Sequence, residues 1–132
     1  RKEGQKIALP LRLQAYERLT IFLERISPSK LLLRVKPTGK DAEPYAQKLI
    51  GVIEQEFEHN VSQQIYITPE CWNLINAAKN ATIHVIRQSS MNEKSKNADE
   101  MREAILRNFM EEITPSQKAM VYLKKEVSEL FG

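Results

Sequence analysis

The sequence predicts an all-α domain: an antiparallel bundle of about five helices plus one short helix, over 132 residues in a single domain. Three observations predict it. Pro10, Pro28, Pro44, Pro69 and Pro115, five of the six prolines, each open a stretch of helical spacing. Proline suits the first helical position, where its missing N–H would be unpaired anyway and its fixed φ is already helical. Apolar residues then recur in steps of three and four, which places them on one face of a helix. Only four glycines interrupt the chain, as suits helices joined by short turns.

The first helix is expected from about Leu9 to Ile26, with Ala15, Leu19, Phe22 and Ile26 on its core face. Leu9, Leu13, Tyr16 and Leu23 widen that face; Gln14, Arg18 and Arg25 mark the wet side, with Ile21 among them. Ser27-Pro28 ends this helix and starts a short segment through Leu31, Leu32 and Leu33 to Val35, whose length fits a helix or a strand equally. After the loop at Pro37 to Lys40, Asp41 or Glu43 favours the N-terminus of the second long helix through its dipole. Leu49, Ile53 and Phe57 form its apolar side, and Gln47, Gly51, Glu54 and Glu58 its polar side.

Residues 61–67 lack helical period and read as an extended connector across the bundle. Thr68-Pro69 starts the third long helix, with Ile75, Ala78, Thr82 and Ile86 as its stripe. The polar run at 88–96 reads as a mobile loop. Asn97 and Glu100 have the spacing of a capping box before a helix whose expected core face is Met101, Ile105, Phe109 and Ile113. Thr114-Pro115 with Gln117 starts the last helix, where Met120, Leu123, Val127 and Leu130 repeat at helical spacing.

The net charge is +3, unevenly spread. Residues 1–40 carry ten Lys/Arg against three Glu, and the remainder ten against fourteen acids. A basic first third faces phosphates if it serves nucleic acid; charge reversal of Arg12, Arg18 and Lys30 would then abolish binding. The basic residues are spaced singly, as on a solvated face that pairs with the acidic remainder. The single cysteine, Cys71, precludes an intrachain disulfide. It reads as a small buried residue beside Trp72 rather than a nucleophile.

Chemical motifs are sparse. Glu56 and His59 stand three apart, the spacing of carboxylate-bridged metal sites in bundles. A second such pair is missing, because the other histidine, His84, has no acid three residues before it. No nucleophile elbow, phosphate-cradling loop or dinucleotide fingerprint is present. Catalytic, cofactor and metal residues are therefore expected to be absent, and no small-molecule ligand is expected.

The strings Leu9-Pro-Leu-Arg-Leu-Gln-Ala-Tyr-Glu-Arg-Leu-Thr-Ile-Phe-Leu-Glu-Arg-Ile-Ser-Pro28, Leu31-Leu-Leu-Arg-Val35 and Glu56-Phe-Glu-His-Asn-Val-Ser-Gln-Gln-Ile-Tyr-Ile67 resemble an uncharacterised protein family of the Bacteroidetes. The segment from Pro115 to Phe131 is similar too. The resemblance implies a single N-terminal membrane-spanning helix ahead of this domain; the family has no established activity or site residues to carry over. The chain starts at Arg1 without a Met, as a fragment or processed product would. With an anchor, Arg1, Lys2 and Lys6 would be juxtamembrane, on the cytoplasmic face of the inner membrane by the positive-inside rule.

The expected function is thus a non-catalytic protein-interaction or scaffold domain that binds a partner protein or itself. Its candidate surface is Arg12, Arg18, Ile21 and Arg25 on the first helix. The same arginines, with Glu17 and Glu24, would equally lace that helix to its neighbours. The alternatives are nucleic-acid binding by the basic first third, and a bundle metal protein or enzyme at Glu56 and His59.

Overall fold

The computed structural model describes residues 2–94, 96–110 and 113–132, with side chains from Ala8 onward. Among them the chain forms α1 (Lys2–Ile26), α2 (Pro28–Arg34), α3 (Ala42–Glu58), a 3-10 helix (Val61–Tyr66), α4 (Pro69–Met91), α5 (Ala98–Met110) and α6 (Pro115–Phe131). The architecture is all-α, with five long helices and one short one, as the spacing of apolar residues predicts. α4 runs through the middle and packs on α1, α3, α5 and α6, while α2 bridges α1 and α5.

Proline chemistry explains most of the starts. Pro28, Pro69 and Pro115 occupy first-turn positions behind Ser27, Thr68 and Thr114. The Thr68 hydroxyl accepts from the Cys71 N–H, and Thr114 and Gln117 form a reciprocal capping box. Pro44 lies in the first turn of α3, where an N–H is dispensable. Pro10 departs from the expectation: α1 begins at Lys2, so Pro10 lies inside the helix. It is exposed there, so its ring faces solvent rather than the core.

The core has the expected residues. Leu19, Phe22, Leu23, Leu49, Ile53, Ile75, Ile86, Met101 and Ile105 are essentially inaccessible. Each such burial stabilises by about 1.5–3 kcal/mol relative to exposure. Thr82 joins them because its hydroxyl donates to the Ala78 carbonyl at 2.8 Å.

One open alternative is decided and four expectations are corrected. The 31–35 segment is helical through Arg34: the Ser27 carbonyl accepts from the Leu31 N–H at 2.9 Å, and Leu31 and Leu32 go into the core. The extended connector at 61–67 is a 3-10 helix from Val61 to Tyr66, extended only at Ile67. Tight i→i+3 turns satisfy its backbone without apolar period. The loop expected at 88–96 is helical to Met91, because Ser89 packs inward and the Ser90 hydroxyl folds back on the Arg87 carbonyl at 2.7 Å. Ser95 lies outside the described residues. Ile113 does not extend the core face of α5, which ends at Met110; it is exposed. Finally, the buried positions of α6 are Ser116, Ala119, Leu123 and Glu126, while Met120, Val127 and Leu130 are only half-buried. The inward turn of one carboxylate accounts for that rotated face.

Candidate interaction surface

α1 and α6 run antiparallel. Tyr16 meets Glu126 near one end, while Leu23 and Ser27 share a groove with Met120 and Ser116 near the other. The pair is joined from inside by Glu126. One carboxylate oxygen accepts from the Tyr16 hydroxyl and the other from the Thr68 hydroxyl, and the Thr68 N–H approaches at 3.4 Å. Arg12 closes the network: Nη2 donates to the Tyr16 hydroxyl at 3.1 Å and Nε to the Tyr66 carbonyl at 2.9 Å. A buried charge is thereby placed at the N-terminus of α4, where the helix dipole favours it.

This network sets the chemistry nearby. Burial first, then the hydrogen bond to Glu126 and its charge, raise the Tyr16 phenol well above its ordinary value, against the opposing effect of Arg12. Burial, and after it the Glu126 charge, push the Cys71 thiol up to about 12. A thiol so placed is not a thiolate nucleophile at neutral pH, and the reading of Cys71 as a buried apolar residue agrees with its full burial.

The candidate arginines divide by role. Arg12 belongs to the Glu126 network. Arg18 Nη2 donates to the His59 carbonyl at 2.7 Å, so it caps the end of α3. Arg25 pairs with Glu56 at 2.6 Å, and Arg34 with the other oxygen of Glu56 at 2.7 Å. Burial alone would raise the Glu56 carboxyl; the hydrogen bonds from Arg25 and Arg34 outweigh it and hold the group below its usual range. Glu56 is therefore a three-helix clasp for α1, α2 and α3. His59 contributes its backbone carbonyl, and among the described residues no cluster of three His, Cys, Asp or Glu side chains is placed to hold a metal.

Asn60 and Gln64 satisfy backbone carbonyls of Glu56 and Val61, as turn chemistry requires. Lys30 is paired with Glu24, and Lys48 donates to the Lys36 carbonyl. Of the basic first third, Arg12, Arg18, Arg25, Lys30 and Arg34 are bonded within the chain.

Ile21 alone of the four candidates has no polar work to do. It is 57% exposed and forms the ridge of an apolar groove of about 560 Å³ between α1 and α6. Leu13, Thr20, Leu123 and Val127 line this groove, with Glu17 at its α1 edge and Lys124 at its α6 edge. A second groove, about 630 Å³, lies between the α1–α2 corner and the α5–α6 corner. Its walls include Phe109, Met110, Ile113 and Met120, with Glu24, Ser27, Lys30 and Gln117 among its polar residues. The Ser116 hydroxyl nearby is buried with no hydrogen-bond partner among the described residues.

Sequence reasoning placed Ile21 on the exposed side of α1, where it lies, and missed Glu126. The only available signal for Glu126 was its place on the apolar side of α6, between Leu123 and Leu130 at steps of three and four.

A model of a family of unknown function, DUF7935, matches residues 1–130. No curated protein matches the chain, and no solved structure does.

Proposed function

Given that the chain belongs to the DUF7935 family, we propose that it is a non-catalytic protein-interaction domain whose working surface is the α1–α6 groove. The observation that carries this reading is the groove itself. A ridge of exposed Ile21 beside half-buried Leu13 and Val127, over a floor of buried Leu123, presents apolar surface that no part of the described chain covers. Contiguous apolar surface rimmed by charge is characteristic of protein contacts. The arginines beside it organise the fold, so recognition rests on the apolar ridge rather than on the basic residues.

The resemblance to an anchored family supports a further placement, at the cytoplasmic face of the inner membrane by way of a segment preceding Arg1. The described helices bear on this only indirectly: none is long and apolar enough to cross a membrane.

The test is affinity capture from membranes with the native N-terminus in place, comparing the natural chain with Ile21→Glu. A partner identified by mass spectrometry, captured reciprocally and lost in the variant, is the expected result. Undiminished capture by the variant would remove the groove from the reading.

A further inference from the structure

We propose that a second copy of this chain covers the α1–α6 groove and the helix ridges that flank it, related by a two-fold axis lying along the groove. This rests on the interaction reading above and names its partner. The argument is one of register. Because α1 and α6 are antiparallel, residues of the two helices whose numbers sum to about the same value lie at one level; Tyr16 with Glu126 and Leu23 with Met120 define it. Ile21 and Val121 therefore lie at nearly one level, and Glu17 and Lys124 lie within a turn of each other.

A two-fold axis parallel to both helices sets α1 of one copy over α6 of the other, antiparallel and without a shift along the axis. Each Ile21 then faces the other copy's Val121, and each Glu17 faces its Lys124. All four side chains are exposed, and the two apolar ones are 57% and 67% accessible. Neither Glu17 nor Lys124 forms an ion pair among the described residues. The surface thus carries a knob and its counterpart, and an acid and its counterpart, on opposite sides of one axis. That is the self-complementarity an isologous dimer requires. Gln14 and Ser128, both exposed, meet at the same spacing one turn further on. Two helix faces of this length bury on the order of several hundred Å² per copy, the lower end of stable interfaces, so association in the micromolar range is expected.

Sedimentation equilibrium across a concentration series tests the proposal on the natural chain, Glu17→Lys, Lys124→Glu and the double reversal. Each single reversal places like charges opposite each other twice and should weaken dimerisation roughly tenfold or more. The double reversal should restore it. A chain monomeric throughout the series overturns the proposal while leaving the capture experiment to judge the interaction reading separately. A dimer indifferent to the single reversals, or not restored by the double, also overturns it. As a second readout, Ile21→Cys with Val121→Cys should yield a disulfide-linked dimer on mild oxidation. Circular dichroism confirms that each variant is folded.

Discussion

Glu126 is a carboxylate that its side-chain chemistry would assign to solvent, although its spacing from Leu123 and Leu130 puts it on the apolar side of α6; it is 7% exposed and bonded by Tyr16 and Thr68. Removing one partner of such a group leaves the others unsatisfied in a low-dielectric site. Glu126→Ala should therefore destabilise the fold by about 3 kcal/mol, and Tyr16→Phe by about 1–2 kcal/mol, in urea unfolding. If Glu126→Ala unfolds at the natural midpoint, the network is idle. Cys71 follows from the same site. Its folded-state pKa is raised from 9.0 to about 12, so the neutral thiol is favoured by folding. That contribution is complete below the unfolded pKa and is lost as pH rises through the folded one, between about 9 and 12. Alkylation by iodoacetamide in mildly alkaline buffer should be slow in the folded chain and fast once urea is added.

At the scale of elements, caps and clasps decide where helices stop and how they meet. Thr114 works locally, in a capping box at the start of α6. Thr68 caps α4 and also bonds Glu126 on α6. Thr114→Ala should cost about 1 kcal/mol and Thr68→Ala about 2–3 kcal/mol in the same unfolding experiment. Equal losses would mean that the second bond of Thr68 contributes nothing. Glu56 holds α1, α2 and α3 through Arg25 and Arg34. Its pKa is depressed in the folded state, so it stabilises above the unfolded value of 4.5 and loses that contribution as pH falls through the folded one. Glu56→Gln should flatten the acid limb of a stability–pH profile; an unchanged limb would exclude the clasp as a source of acid sensitivity.

For the whole molecule, the division is between three first-helix arginines, Arg12, Arg18 and Arg25, bonded to neighbouring elements and an apolar ridge left outward. Ile21→Glu should leave thermal stability within about 0.5 kcal/mol of the natural chain, since an exposed ridge contributes little to the core. A large loss on melting would mean that Ile21 supports the fold and that its variant cannot report on binding. The match across residues 1–130 extends over the whole bundle, so α1 and α6, which form the groove, both fall within the family's domain.

Local chemistry made much of this legible in advance. Three proline–cap pairs placed the starts of α2, α4 and α6, and apolar spacing placed Leu19, Ile53, Ile75 and Ile105 in the core. These features depend on neighbours within a turn or two, which the linear order contains. The sequence by itself thus determined an all-α bundle and most of its buried face. Tertiary structure alone decided the rest. Arg12, Arg18 and Arg25 could have been a recognition surface or internal laces until the partners Tyr66, His59 and Glu56, each 31 or more residues away, were brought to them. Glu126 could be buried only because Tyr16, 110 residues distant, and Thr68 converge on it. Polar side chains acquire their roles from partners distant in sequence, whereas apolar ones need only a face that turns away from water.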